Sequence, residues 1–135
     1  MREITLVRHA FKRLQNTWRV TSGREVPLLG RSVDLAYIFR GKIFAIEFKL
    51  KNWRRAIDQS RDHLLGADFA YICMPERKVT DEMRQELESY GIGLVFFKKD
   101  GRWPFKEVIS ARPSDEIWSV ARMRTFEYVT NNCER

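Results

Sequence analysis

The sequence predicts a mixed α/β fold in which a small β-sheet is flanked by helices, in the order α-β-β-β-α-β followed by α-β-(β)-α. Apolar residues recur at helical spacing in four segments, and runs rich in β-branched and aromatic residues lie between them. A glycine turn joins two of these runs directly. The chain has 135 residues, the size of one ordinary domain, so we expect a single domain over residues 1–135.

The first half of the chain predicts a helix followed by three strands. Residues 2–18 place apolar side chains at spacings of three and four, which is typical of an amphipathic helix. Residues 19–31 contain glycine and proline, and they predict an irregular strand or loop. Residues 32–39 and 42–50 read as strands, and Gly41 between them predicts a hairpin turn with a positive φ.

The second half of the chain alternates helices with strands. Residues 52–65 return to helical spacing, and residues 67–74 form a short apolar run. A helix connects this run to the preceding strand, so we expect the two strands to be parallel. The remaining predicted elements are a helix capped by Thr80 and ended by Gly91, a strand at 92–97, an edge strand at 103–111 and a helix at 114–128.

The positive charge of the chain lies in its first half. Residues 1–66 contain 14 basic and 6 acidic residues, a net charge of +8, whereas residues 67–135 carry a net charge of −1. A one-sided basic field is expected for a protein that binds a polyanion. A basic surface that only keeps the protein soluble would have the same composition.

Membrane and zinc-bound classes of protein do not fit this sequence. No apolar run approaches the roughly 20 residues that span a bilayer, and the N-terminal residues lack the apolar centre of a signal peptide. Cys73 and Cys133 lie far apart, and with His9 and His63 they do not have the spacing of a zinc site. We therefore expect a cytoplasmic protein without a membrane partner.

One group of charged residues in the hairpin has the chemistry of a metal site. Asp34, Glu47 and Lys49 form a D-x12-E-x-K pattern, and an antiparallel hairpin that turns at Gly41 brings Asp34 opposite the other two. Two neighbouring carboxylates repel unless a cation lies between them, and oxygen ligands suit Mg²⁺ or Mn²⁺. Lys49 could then orient or deprotonate a metal-bound water. An ordinary salt-bridge cluster is the alternative interpretation.

This hairpin resembles the core of a known nuclease superfamily. The segment VDLAYIFRGKIFAIEFKLKNW, followed by a helix and the strand FAYICMP, is similar to the PD-(D/E)xK nucleases, which include restriction endonucleases, Holliday-junction resolvases and RecB-like nuclease domains. The resemblance covers residues 25–75 and implies a restriction-endonuclease-like fold. It departs from the motif just before Asp34, since Val33 stands where the motif has proline.

The resemblance also implies a role for each residue of the pattern. Asp34 and Glu47 would be metal ligands, joined by the backbone carbonyl of Phe48, and Lys49 would be the catalytic lysine. Some members of the superfamily take a further acid from upstream. Glu3 and Glu25 are the upstream acids of this chain, and we expect Glu25 because it is closer in sequence.

The helix after the hairpin adds a candidate glutamine. RecB-like members carry Gln-xxx-Tyr on this helix, and the chain has Gln59 with His63 at the tyrosine position. At 100° per residue, Asn52, Arg55, Gln59 and His63 also fall on one stripe, so they could line the rim of the same site. A solvated helix face would give the same pattern.

Basic residues close to the pattern predict contacts with phosphate groups. Trp53 lies among them and could stack on a base, although it also begins the apolar stripe of its helix and so fits the core. The residues predicted to bind nucleic acid are Lys51, Arg54, Arg55, Arg61 and His63.

The sequence therefore predicts a divalent-metal-dependent nuclease, in first place a DNA endonuclease that uses Mg²⁺ or Mn²⁺. Asp34 and Glu47 would hold the metal, Lys49 would activate water, and Gln59 would position the water or the phosphate. DNA is preferred to RNA as the partner, and a homodimer fits a chain with little surface for holding two strands. The alternatives are a non-catalytic nucleic-acid-binding module of a larger complex and a structural or dimerisation domain.

Overall fold

The protein folds as one six-stranded sheet with helices on both faces. The structure is a computed structural model, and it describes residues 2–132. In chain order the elements are α1 (Glu3–Gln15), β1 (Thr21–Leu28), β2 (Arg31–Phe39), β3 (Lys42–Phe48), α2 (Trp53–His63), β4 (Phe69–Met74), α3 (Asp81–Tyr90), β5 (Gly93–Phe97), β6 (Phe105–Ile109) and α4 (Ser119–Asn131).

The strands lie in the sheet in the order in which they occur along the chain. β1, β2 and β3 are antiparallel, β3, β4 and β5 are parallel, and β6 returns antiparallel at the edge. The predicted restriction-endonuclease-like mixed sheet and its order of helices and strands are confirmed. The parallel pairing of β3 with β4 follows from the α2 crossover, as the sequence predicts.

The β2–β3 hairpin has the predicted position and register. Arg40 and Gly41 both have a positive φ, of 51° and 76°, which matches the twist of a tight hairpin turn. Leu35 pairs with Ile46 across the hairpin. This register places Asp34 at the level of Glu47, as the spacing of the pattern predicts.

Each face of β3 enters a different part of the core. The face with Ile46 and Phe48 packs under α1, and the face with Ile43 and Ala45 packs with α4. A third apolar cluster holds α2 and α3 against β4 and β5. Glu47 belongs to the second face of β3, in a position where a charged side chain is costly.

One boundary differs clearly from the sequence-based predictions. The segment after α1 forms a strand, β1, with a left-handed backbone at Glu25, which fits the predicted irregular strand, whereas the last helix begins at Ser119 rather than at Ser114. The N–H groups of Ser114 and Trp118 donate to the carbonyls of Asp68 and Leu65, at 2.8 and 2.9 Å. Because these tertiary hydrogen bonds tie the segment to the α2–β4 connection, its backbone does not enter the helix.

The cysteines and the helices both bear on predictions from the sequence. Cys133 lies outside the described residues. Cys73 is buried in β4, and burial raises the pKa of its thiol. Within residues 2–132, every helix is too short or too polar to cross a bilayer.

Candidate active site

Asp34 and Glu47 come together where the β2–β3 ladder ends. The last paired residues are Leu35 and Ile46, and beyond them the carboxylate of Asp34 takes over the role of a backbone partner. Its Oδ2 accepts a hydrogen bond from the Phe48 N–H at 2.9 Å. The side chain of Asp34 also interacts directly with that of Glu47. The structure therefore brings together the two acids that the sequence pairs.

Burial and mutual repulsion favour the protonated form of this acid pair. The side chain of Glu47 is almost fully buried, with 3% of its residue surface exposed. Burial, followed by the charge of Asp34, raises the pKa of Glu47 to about 8. Burial also raises the pKa of Asp34, although the hydrogen bond from Phe48 opposes the rise. Such a pair holds a proton at neutral pH that a cation could displace.

A third carboxylate beside the pair comes from α1. Glu3 Oε2 accepts a hydrogen bond from the Leu50 N–H at 3.0 Å, just beyond the end of β3, and its charge raises the pKa of both Asp34 and Glu47. The sequence contains a signal for this placement. Glu3 lies on the same helical stripe as Leu6, Val7, Ala10 and Leu14, which all face the sheet.

Glu25, the upstream acid expected from its proximity in sequence, lies on the strand beside Asp34, and its side chain is exposed. It lies on β1 at the register position opposite Asp34, since Arg24 pairs with Leu35 and Val26 with Val33. Its backbone is in the left-handed region, with a φ of 49°, and its side chain is exposed. Glu25 therefore stays a predicted ligand, and Glu3 is a further acid whose charge acts on both members of the pair.

Lys49 follows Glu47 at the end of β3. Its backbone N–H donates to the Cys73 carbonyl at 3.0 Å, which continues the parallel pairing with β4 by one residue. Its side chain is half-buried, and its charge lowers the pKa of both Asp34 and Glu47, in opposition to the larger effect of burial. The lysine of the pattern is thus placed within electrostatic reach of both acids.

The α2 residues form a buried polar layer over Glu47. His63 is 1% exposed, and its Nε2 lies 3.8 Å from Glu47 Oε2, which is beyond hydrogen-bond distance. Burial lowers the pKa of His63 to about 4, so its ring is neutral at pH 7. Within residues 2–132, the buried side-chain atoms without a hydrogen-bond partner in the protein are Glu47 Oε2, Gln59 Oε1, Ser60 Oγ and His63 Nδ1.

This burial corrects the role expected for His63. A side chain covered by the sheet cannot contact nucleic acid, so the prediction that His63 belongs to the binding surface is wrong. The signal for its burial is its spacing, because Ala56, Ser60 and His63 share a stripe of α2 that faces the sheet. Gln59 is half-buried on the adjoining stripe. It therefore lies at the border between the polar layer and the surface.

The basic residues that follow β3 are exposed, and they lie in different surroundings. Arg54 forms ion pairs with Glu82 and Glu86 of α3, and its guanidinium stacks on Trp53. Trp53 itself is buried, which supports its place in the core. The guanidinium of Arg61 covers the ring of Tyr90. Lys51 and Arg55 are exposed near the N-terminus of α2 and remain predicted phosphate contacts.

The donor set fits a hydrated Mg²⁺ ion better than a fully protein-bound metal. Within the described part of the chain, no group of three or more His, Cys, Asp and Glu side chains is arranged to hold a metal ion. Two carboxylates and a backbone carbonyl would leave about half of the octahedral positions to water and phosphate, and Mg²⁺ in proteins usually keeps several waters in this way. The unpartnered Glu47 Oε2 supplies a free oxygen ligand for such an ion.

Comparisons with known proteins place the fold but not the activity. No family model matches the sequence, and no curated protein matches it. A protein of unknown function from Silicibacter pomeroyi has a similar structure, with a TM-score of 0.66 and 18% identity over 97% of this chain and 86% of that chain.

Two other solved structures share the fold over about three-quarters of this chain. An XisH family protein from Nostoc punctiforme has a TM-score of 0.55 and 12% identity, over 76% of this chain and 98% of that chain. An fdxN element excision controlling factor from Anabaena variabilis has a TM-score of 0.56 and 14% identity, over 77% and 98%. At these identities the likeness concerns the fold alone.

Proposed function

We propose that this protein is a nuclease of the PD-(D/E)xK type, which hydrolyses phosphodiester bonds with Mg²⁺ or Mn²⁺ and acts as a DNA endonuclease. One observation carries the proposal. Asp34 and Glu47 are held in contact and largely buried beside Lys49, and one oxygen of Glu47 has no partner in the protein. A fold gains no stability from such a pair, whereas a metal site requires it.

Each residue of the site has a distinct task in this proposal. Asp34, Glu47 and the Phe48 carbonyl would hold the ion, which when bound lowers the pKa of water and stabilises charge on phosphate. Glu47 would hold the ion as the carboxylate, since a carboxylic acid is a poor ligand. Lys49 orients the attacking water and offsets the negative charge that develops on the phosphate oxygens. Gln59 positions the water or the phosphate from the border of α2.

Two features support nucleic acid as the substrate. Residues 1–66 carry a net charge of +8, and two of their basic residues, Lys51 and Arg55, lie exposed shortly after the end of β3. One protein with a similar fold is named an element excision controlling factor, which suits a protein that works on DNA. We therefore place DNA before RNA among the substrates.

The experiment that tests the proposal is a cleavage assay with purified protein. Labelled duplex DNA, single-stranded DNA, a branched junction and RNA are incubated with Mg²⁺, Mn²⁺, Ca²⁺ or excess chelator. We expect cleavage with Mg²⁺ and Mn²⁺ and weak or no cleavage with Ca²⁺, because the looser coordination of Ca²⁺ holds water less productively. Equal turnover in excess chelator would show that the reaction does not use a metal.

A nucleic-acid-binding module without turnover is the second candidate. The absence of a three-ligand group within residues 2–132 and the protonated state of Glu47 at neutral pH favour it. Both candidates predict binding that weakens with salt, with a slope of about −0.9 per phosphate contact on duplex DNA. The two candidates differ in cleavage. A binding module would bind nucleic acid but would cleave no substrate of the panel with Mg²⁺ or Mn²⁺, whereas a nuclease would cleave at least one.

A further inference from the structure

A large groove crosses the ends of the parallel strands beside the candidate active site. It has a volume of about 780 Å³ and lies where β4 and β5 end, between α1 and the β5–β6 connection. Its floor is apolar and includes Leu6, Leu50 and Phe97. Neither the hairpin pattern nor the basic residues of the first half account for this groove.

The groove and the candidate active site meet at the segment that follows β3. Leu50 lines its floor, and the N–H of the same residue donates to Glu3 Oε2 at 3.0 Å. Lys49, which acts on both acids of the pair, immediately precedes Leu50 in the chain. A ligand in the groove would therefore lie close to Glu3 and to the segment that follows β3.

Lysines from the second half of the sequence line the far side of the groove. Lys98 and Lys99 of the β5–β6 connection and Lys106 of β6 are all exposed there. Glu76 and Asp100 also contribute to the lining, so the three lysines leave an excess of positive charge. This edge suits a polyanion, although the second half of the chain has a slightly negative net charge.

Arg13 of α1 fixes the connection that carries two of these lysines. Its guanidinium donates to the backbone carbonyls of Lys98, Asp100, Gly101 and Trp103. These hydrogen bonds hold residues 98–103 against α1, so the ammonium groups are presented from an ordered backbone. Pre-ordering of the backbone lowers the entropy that is lost when a ligand binds.

The apolar floor distinguishes between forms of nucleic acid. Duplex DNA turns phosphates and sugars outward and keeps its bases stacked inside, so it cannot use an apolar floor. A single strand exposes the faces of its bases, and proteins bind it by combining a basic groove with apolar and aromatic surfaces. Leu50 and Phe97 are half-buried, which leaves part of each side chain open to the groove.

From this geometry we infer that the groove binds a single-stranded segment of nucleic acid that leads to the active site. The bases lie against the exposed parts of Leu50 and Phe97, and the phosphates lie along Lys98, Lys99 and Lys106. This inference rests on the proposed function, because it assigns the strand to a substrate of that site. It names the substrate class as DNA with a single-stranded part, such as a branched or frayed end.

The test measures binding in excess chelator, where cleavage does not occur. Fluorescence anisotropy compares a labelled strand of about 20 nucleotides, its duplex, and a strand of the same length that lacks bases at several positions. The Lys98→Ala/Lys99→Ala variant is compared with a control, Lys42→Ala/Arg124→Ala, that also loses two exposed positive charges. Lys42 starts β3 at the hairpin end, and Arg124 lies on α4.

We expect the parent protein to bind the single strand more tightly than the duplex or the base-deficient strand. The Lys98→Ala/Lys99→Ala variant should bind the single strand about 10-fold more weakly at low salt. Its salt slope should fall by about 1.4, or about 0.7 for each phosphate that the lysines no longer neutralise. The control variant should stay within about twofold of the parent, since its charges lie away from the groove.

Two results would overturn the inference. The first is an equal loss of affinity in the two variants, and the second is equal affinity of the parent for the single strand and the base-deficient strand. Neither result depends on turnover, so a protein that binds as expected but cleaves nothing contradicts the proposed function alone. A protein that cleaves with Mg²⁺ but shows either result contradicts the groove alone.

Discussion

A carboxylate lies near each end of β3, Asp68 at the hairpin end and Glu47 at the other end. The two differ in whether their oxygens have hydrogen-bond partners, so we call the first the satisfied end and the second the unsatisfied end. At the hairpin end, Asp68 receives the Ile43 N–H at 2.7 Å and a forked pair of hydrogen bonds from Arg122. The Nη2 of Arg122 also donates to the Gly41 carbonyl at 2.8 Å. The Asp68–Arg122 pair therefore joins the hairpin turn, the start of β4 and α4 in one hydrogen-bond network.

The other end of the strand holds the candidate active site. Glu47 is more deeply buried than Asp68, yet its Oε2 has no hydrogen-bond partner in the protein, and its nearest charged neighbour is another carboxylate. His63 lies nearby as a neutral ring. The Asp68 network therefore stabilises the fold, whereas the Glu47 cluster costs stability. Local disagreement between burial and polarity is typical of functional sites.

The largest effect should come from Glu47→Gln. The substitution keeps the shape of the side chain but removes a metal ligand's charge, so cleavage should fall by on the order of 10³-fold or more. Binding of nucleic acid without metal should change little at neutral pH, since Glu47 holds a proton there and the substitution removes no charge. Initial rates with Mg²⁺ and anisotropy in chelator measure the two quantities. Full activity in a folded Glu47→Gln protein would show that catalysis lies elsewhere.

Lys49→Ala should have the next largest effect. Turnover should fall by on the order of 10²-fold, because the ammonium group offsets charge in the transition state but holds no metal. Metal affinity, measured by calorimetry, should change little. A parallel loss of metal affinity and turnover would instead mean that Lys49 shapes the acid pair.

Asp68→Asn is the matched acid-to-amide change at the satisfied end of β3. It leaves the partly buried Arg122 without its charge partner, so the unfolding free energy should fall by about 2 kcal/mol. Activity per folded molecule should stay within about twofold of the parent, because the cluster lies away from the site. Urea unfolding and rates normalised to folded protein check this prediction. A loss of activity without a loss of stability would contradict the separation of the two ends.

The buried Glu47 should also make the stability of the protein depend on pH, and we expect this effect to be smaller than those of the substitutions. The pKa of Glu47 is about 8 in the folded state, whereas its ordinary value is 4.5, so the folded state binds the proton more tightly than the unfolded state. The free energy of unfolding should therefore fall as the pH rises from about 6.5 to 8. His63, with its pKa lowered to about 4, acts in the opposite sense, and its contribution is gained as the pH rises from 4 to 6.5.

Above pH 6.5, Glu47 still contributes to the pH dependence of stability, whereas His63 no longer does. The unfolding free energy should fall by about 1–2 kcal/mol between pH 6.5 and 8. Urea midpoints at pH 6.5 and 8 in excess chelator measure it. The Glu47→Gln protein should show a flatter dependence. The same slope in both proteins would assign the effect to other groups.

The sequence predicts local features of this molecule well. The register of the hairpin and the meeting of Asp34 with Glu47 depend on a two-residue turn, so residues close in sequence settle them. The Asp68–Arg122 network joins residues 54 positions apart, and the Glu3–Leu50 bond joins residues 47 apart. Those contacts depend on how α1 and α4 pack on the sheet. The apolar stripes show which side of each helix faces the sheet, but they do not show where on the sheet the helix lies.

His63 shows why the rim of the site is harder to predict than its centre. The stripe of α2 that contains it can face solvent or the sheet, and the sequence alone leaves both open. Burial against Glu47 decides the question in the structure. The lysines of the β5–β6 connection resemble an ordinary solvated turn in the sequence for a similar reason, since only the tertiary fold brings them to the end of β3.

The most direct test of the account is the response of stability to Mg²⁺ at pH 8, which needs no substrate. If the unsatisfied end binds Mg²⁺ with a Kd of about 1 mM, about 10 mM Mg²⁺ should raise the unfolding free energy by about 1.4 kcal/mol. The parent and Asp68→Asn proteins should both gain this amount, and Glu47→Gln should gain much less. An equal gain in Glu47→Gln and parent, or no gain in the parent, would contradict a metal site at Asp34 and Glu47.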